Sequence, residues 1–198
     1  MATQLYLLRH GETAWSLTGQ HTGRTDLPLT ANGERRATQL RERLRTVTFS
    51  HVLTSPLQRA RRTCELAGLG AAMQVEPDLR EWDYGDYESR TTAEIRAQQP
   101  EWNLFQDGCP GGESVAQISQ RADRMLANVG PRSGTVAVFS HGHFLRALAV
   151  RWLGLPVSAG RHFVLDTASL SILGYEHRNT DIPVISLWNS GTNAVFIQ

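Results

Sequence analysis

The sequence predicts an α/β fold built on a mostly parallel central sheet. Short apolar runs alternate along the chain with segments of helical periodicity. Three of those runs deliver chemically active side chains at or just past their ends: Arg9 with His10, Ser55 with Arg59, and His141. Sheets of this kind gather ligands at the carboxyl ends of their strands. The 198 residues suit one domain, and neither repeats nor linker-like stretches divide them.

Residues 5–8 (LYLL) read as a short buried strand that stops at Arg9, His10 and Gly11. Residues 30–45 open with Thr–x–x–Gly and carry Ala37, Leu40 and Leu44 on one helical face. HVLTSP (51–56) is a second strand running into a helix, with Ser55 as N-cap and Pro56 at the first helical position. That helix turns Leu57, Ala60, Cys64 and Ala67 inward and ends near Gly68 or Gly70. MQVEP (73–77) is a third strand. Residues 81–112 are aromatic, acidic and punctuated by Gly and Pro, with a short helix over 92–99. The segment 82–112 is expected to form a small cap region on a single domain spanning 1–198. CPGGES (109–114) turns into a helix whose Val115, Ile118, Ala122, Met125 and Val129 share a face. TVAVFSHGH (135–143) is a buried strand ending on His141, followed by a helix over 144–153. SLSILGYE (169–176) and VISLWN (184–189) read as late edge or hairpin strands.

Composition removes several function classes. The net charge of +1 lacks the basic excess of a nucleic-acid binder. No apolar run approaches the length of a membrane span, and no basic-then-apolar leader opens the chain, so a cytoplasmic protein is expected. All 20 basic residues are arginines. Schiff-base chemistry and the P-loop both need a lysine, so those enzyme classes are excluded. Any phosphate must be held by arginine forks and backbone N–H groups. Cys64 and Cys109 are too few and too far apart for a zinc pair or a disulfide framework, which fits a reducing compartment.

A histidine at a strand end, as in Arg9–His10–Gly11, suits a core residue, a metal ligand, a base or a nucleophile. Gly11 allows a sharp turn with N–H groups close to a ligand. Arg59 falls on the first turns of a helix whose N-terminus favours anions, with Arg62 three residues on; both also suit a solvated face. In an extended segment His141 and His143 point to opposite faces, which speaks against a shared metal. His141 is then expected to face the strand-end crevice, with Gly142 leaving room for a ligand. LREWDYGDYES (79–89) crowds Glu81, Asp83, Asp86 and Glu88 around Tyr84. One carboxylate aimed at the crevice would act as acid and then base, and the residues alone do not choose which. Together these parts suit phosphoryl transfer, which needs mainly positioning and charge. Two arginines and a second, protonated histidine neutralise the phosphoryl group, the first histidine attacks it, and a carboxylic acid protonates the leaving oxygen. Neither a metal nor another cofactor is expected.

LLRHGET (7–13), TSPLQRARRT (54–63), LREWDYGDYES (79–89), PGGES (110–114) and SHGHFLR (140–146) carry a resemblance. In this order the chain resembles the histidine phosphatase superfamily, also called phosphoglycerate mutase-like, over nearly its whole length. The resemblance implies a three-layer α/β/α sandwich and a phosphomonoesterase working through phosphohistidine. It implies His10 as nucleophile, Arg9, Arg59 and His141 as the phosphate pocket, and Glu81 as proton donor and then base. Thr22 and Gly23 match a substrate-side loop, and Tyr84 matches a tyrosine near the leaving group. Ser16 stands where members often carry Asn, and it reaches less far toward a phosphate. Trp82 stands where mutases tend to carry an arginine.

Glu81 and His141 lie 60 positions apart, whereas the cofactor-dependent mutases that the chain resembles usually carry a longer insertion there. A short cap leaves phosphohistidine open to water, which favours a phosphatase that takes a small phosphorylated metabolite and releases inorganic phosphate. EWDYGDYES and WNLFQDGCPGGES (102–114) resemble the sugar-bisphosphatase branch, including sedoheptulose-1,7-bisphosphatase-like enzymes. Trp82, Tyr84, Tyr87 and Trp102 either wall a sugar or pack in the core. The alternatives are a cofactor-dependent phosphoglycerate mutase, and a phosphohistidine-protein phosphatase or non-catalytic phospho-ligand binder. Retention of Glu81 speaks against a binder, which would not need it.

Overall fold

The computed structural model describes residues 3–130, 134–176 and 182–191. One sheet contains β1 (Gln4–Arg9), β2 (His51–Thr54), β3 (Met73–Val75), β4 (Thr135–Ser140), β5 (Leu170–Tyr175) and β6 (Pro183–Ser190). Their spatial order is β3-β2-β4-β1-β5-β6. The first four in that order run parallel, β5 runs antiparallel to β1, and β6 antiparallel to β5. The helices are α1 (Ala14–Thr18), α2 (Ala31–Leu44), α3 (Gln58–Leu66), α4 (Thr92–Arg96), α5 (Leu104–Asp107), α6 (Val115–Val129) and α7 (Gly142–Trp152).

The central strands are apolar on both faces because both faces are covered. Alternation then splits their side chains between two cores. Leu5, Leu7, Val136 and Val138 join the larger core under α6 and α7, while Leu8, Ala137 and Phe139 join the smaller one under α2 and α3. The result is the three-layer α/β/α sandwich, and the late strands form the antiparallel pair expected of a hairpin.

Three boundaries differ from expectation, each for a local reason. Ser55 does not cap α3. Its hydroxyl lies 2.8 Å from His141 Nε2, and the helix starts two residues later, where Asp26 Oδ1 accepts from Gln58 N at 2.8 Å. The helix after β4 begins at Gly142 rather than at 144, because Glu81 accepts the N–H groups of His143 and Phe144. The helix expected over 92–99 ends at Arg96, ahead of Pro100. Helices α1 and α5 were not expected.

Gly11 does not serve an open turn. A Cβ there would lie 2.7 Å from the carbonyl oxygen of Gly33, and its N–H is bound by Thr63 Oγ1 at 2.9 Å. A Cβ on Gly33 would in turn overlap the carbonyl oxygen of Glu12. The two glycines let the exit from β1 press against α2. Glu12 tightens the contact by accepting from Thr30 Oγ1 at 2.6 Å and Asn32 Nδ2 at 2.9 Å. Gly33→Ala should therefore destabilise the fold by about 1–3 kcal/mol through backbone overlap. Urea denaturation checks this, and an unchanged midpoint would show that the two segments part freely.

Candidate active site

The carboxyl ends of β1, β2 and β4 bring His10, Ser55 and His141 together, and α3 adds Arg59. The rings of His10 and His141 lie 5.1 Å apart between centroids. His10 is buried, with Nδ1 2.7 Å from the carbonyl oxygen of Gly11. A carbonyl only accepts, so Nδ1 carries the proton and the neutral ring keeps its lone pair on Nε2. Burial, with Arg59 and Arg9 close by, holds the imidazole well below its ordinary value of 6.5.

Arg59 is wholly buried. Its Nε donates to His141 Nδ1 at 3.1 Å, Nη1 to Thr25 O at 2.9 Å, and Nη2 to Thr22 O and Gly23 O at 3.0 and 3.1 Å. A guanidinium cannot accept, so His141 Nδ1 bears a lone pair and its Nε2–H donates to Ser55 Oγ. The expected protonated second histidine is thus corrected: His141 is neutral. Burial and the neighbouring cations, Arg59 first, push it well below 6.5. Positive charge comes from the guanidinium groups alone. Arg9 fixes one end on the carbonyl oxygen of Leu165, while its buried Nε has no protein partner among the described residues. Gly142 lets that guanidinium pass, since a Cβ there would lie 3.2 Å from Arg9 Nε and Cζ.

Glu81 is buried beside the start of α7. Its Oε1 accepts from Trp82 N at 2.9 Å and Phe144 N at 2.8 Å, and its Oε2 from His143 N at 3.1 Å. The carboxylate thereby caps a helix that has no side-chain cap of its own. Its backbone is fixed by Arg121, a residue the sequence reading missed. Arg121 donates to the carbonyl oxygens of Asp78, Arg80 and Glu81 and pairs with both oxygens of Glu113. The available signal was an arginine beside Ile118, Ala122 and Met125 on the apolar face of α6.

Tyr84 is buried near Glu81, with Oη 2.6 Å from His143 Nδ1, and that nitrogen is 4.0 Å from Glu81 Oε2. Burial raises the Tyr84 phenol well above 10 and lowers His143 well below 6.5, so the pair is neutral. His21 lies against Tyr84, with centroids 4.7 Å apart, and burial pushes it down to about 4.

The other expected substrate contacts have partners within the protein. Ser16 Oγ accepts from Thr13 N at 2.8 Å and donates to Thr13 O at 2.9 Å in the capping box of α1. Thr22 Oγ1 donates to Gln20 O at 3.2 Å. Gly23 N donates to Glu88 at 3.0 Å, and a Cβ on Gly23 would strike Trp82 O. Trp82, Tyr84, Tyr87 and Trp102 all belong to the larger core. His141 and His143 have different partners, and among the described residues no three His, Cys, Asp or Glu side chains gather as a metal site.

A buried imidazole with a free nitrogen, flanked by guanidinium groups at the strand ends of an α/β/α sandwich, defines an enzyme crevice shaped for an anion. Residues 5–190 match the family model of the histidine phosphatase superfamily (branch 1); the chain belongs to that superfamily and is a phosphatase. It is 44% identical to an acid phosphatase of Mycobacterium tuberculosis over 93% of this chain and 92% of the relative. It is 33% identical to sedoheptulose 1,7-bisphosphatase of Saccharomyces cerevisiae over 91% of this chain and 90% of the relative. A solved structure of a Mycobacterium tuberculosis open-reading-frame product superposes with a TM-score of 0.91 at 41% identity, covering 96% of this chain and 98% of the other.

The four depressed imidazoles, His10, His21, His141 and His143, give the fold a pH dependence. Each stays neutral when folded but takes a proton near 6.5 when unfolded, so the unfolded state binds more protons as pH falls. Stability is full above about pH 6.5 and declines below it. His21, pushed down to about 4, contributes a loss of about 1.4 kcal/mol per pH unit through that window. Thermal unfolding followed from pH 7.5 to 5 should show a falling midpoint; a flat one contradicts the neutral imidazoles.

Proposed function

We propose that the protein is a metal-independent phosphomonoesterase that hydrolyses small phosphorylated metabolites, sugar phosphates and bisphosphates foremost, through a phosphohistidine on His10. The observation that carries this reading is the Nδ1–H bond to Gly11 O, which leaves His10 Nε2 as a lone pair beside two guanidinium groups. In the first half, Nε2 bonds to phosphorus as the ester P–O bond breaks, and Glu81 gives its proton to the leaving oxygen. In the second half, Glu81 takes a proton from water, whose oxygen bonds to phosphorus as the P–N bond breaks. Inorganic phosphate leaves. Arg9 and Arg59 stabilise the charge on the phosphoryl oxygens. The neutral His141 contributes by fixing Arg59, and Tyr84 borders the leaving group.

Trp82 supports hydrolysis over mutase chemistry. Its indole is buried with Nε1 on Glu113 O at 2.7 Å, so that position puts no cation beside Glu81 for a substrate carboxylate. The same reading takes 82–112 as a cap on one domain spanning 1–198, acting in the cytoplasm without nucleic acid or membrane.

His10→Ala should abolish turnover, and acid-labile phosphate should be trapped on His10 of the unsubstituted enzyme. Glu81→Gln should keep phosphate binding and reduce kcat by about 10²–10⁴ on alkyl phosphates. Full activity of Glu81→Gln would move the acid role to Asp83. A panel scored by kcat/KM should rank sugar phosphates above nucleotides and phosphohistidine proteins; the reverse order would remove the sugar assignment.

A further inference from the structure

Two cavities border the site, and they differ in how their charges are used. The larger, of about 520 Å³, reaches it at Gly23 and Glu81. Three of its four arginines are already paired, Arg24 with Asp83 at 2.5 Å, Arg121 with Glu113 at 2.6 Å and Arg124 with Asp78 at 3.1 Å, and the carboxylates of Asp78, Glu81, Asp83 and Glu113 line it. The smaller, of about 120 Å³, is lined by His21, Arg96, Trp102, His143, Arg146 and Arg161 among others, and by no carboxylate.

None of its three arginines makes an ion pair among the described residues. Each is anchored through Nε on an acceptor other than a carboxylate: Arg96 on Trp102 O, Arg146 on Gly160 O and Arg161 on His162 Nε2, all at 3.0 Å. This holds each fork in place while leaving its terminal N–H groups for another partner. Arg146 lies over the Phe105 ring at 4.5 Å, and although burial lowers it to about 10 it stays charged at neutral pH. The pocket adjoins the chemistry through His143, whose Nδ1 is 4.0 Å from Glu81 Oε2. It therefore lies one side chain away from Glu81. Its small volume suits one compact anionic group.

We infer that the pocket between α4, α5 and α7 receives a second anionic group, phosphoryl or carboxylate, carried on the leaving group of the substrate. This rests on the phosphatase reading above. The site then selects small phosphomonoesters with a second negative charge over those with a neutral leaving group.

Two matched pairs test it: fructose 1,6-bisphosphate against fructose 6-phosphate, and 3-phosphoglycerate against glycerol 3-phosphate. kcat/KM for phosphate release is measured with the unsubstituted enzyme and with Arg96→Ala, Arg146→Ala and Arg161→Ala. In at least one pair the doubly anionic substrate should be preferred by about tenfold or more, since charge-assisted bonds are the strong ones. The pair that shows it tells whether phosphoryl or carboxylate is read. The preference should shrink to about twofold in Arg146→Ala and in at least one exposed-arginine variant; Arg96 and Arg161 lie at the surface, where truncation leaves the fold intact. Hydrolysis of all four substrates without preference, or a preference that survives all three substitutions, overturns the inference and leaves the phosphatase reading standing. Hydrolysis of none, with no label on His10, overturns both.

Discussion

A buried guanidinium, that of Arg59, holds the site together. It makes no ion pair among the described residues, and burying a cation without compensation is costly. Here the compensation comes from four neutral acceptors: three carbonyl oxygens of residues 22–25 and one imidazole nitrogen. Those four bonds tie the first turn of α3 to the 22–25 loop and to the end of β4. They also decide the tautomer of His141, and through it the orientation of the Ser55 hydroxyl. Removing the guanidinium would leave buried carbonyls unsatisfied in three places at once.

Arg121 plays the matching part across the sheet. All five of its N–H groups are used, two on Glu113 and three on the carbonyls of Asp78, Arg80 and Glu81, with its Cζ 4.4 Å from the centre of the Phe144 ring. A lysine has three donors on a single point and could not span these acceptors. Six arginines around the site and its small pocket thus fall into two groups. Arg121 spends all five donors on the protein and sets geometry, and Arg59 spends four, leaving one N–H of Nη1. Arg9, and the three around the small pocket, keep N–H groups in hand.

Much of this was legible in the sequence because strands and amphipathic helices write themselves as periodicity. β1, β4, α2 and α6 fall where their apolar residues recur, and the placement of His10, Arg59 and His141 follows from strand ends meeting at one edge of a parallel sheet. What periodicity does not record is which tertiary partner a polar group chooses. Ser55 reads as a helix cap, and becomes the acceptor for His141. Ser16 reads as a phosphate contact, and closes a capping box with Thr13. Gly11 reads as a turn, and turns out to be a contact surface for Gly33. The charge of His141 depends on a single nitrogen facing Arg59, and no local pattern announces that.

The division of the interior into two cores has a further consequence. Arg59, beside His10, rides on α3, whose Cys64 sits in the smaller core with Ala67 just past the helix end. Glu81 is braced by α6 and α7, whose Ile118, Ala122, Phe144 and Leu145 sit in the larger one. The sheet lies between them. Lesions far from the crevice are thereby sorted by layer. On the proposed mechanism, a loosened small core would displace Arg59 and weaken substrate capture, whereas a loosened large core would displace Glu81 and slow leaving-group departure. Distant damage to one protein would then appear as two kinetic phenotypes, divided by the plane of its sheet.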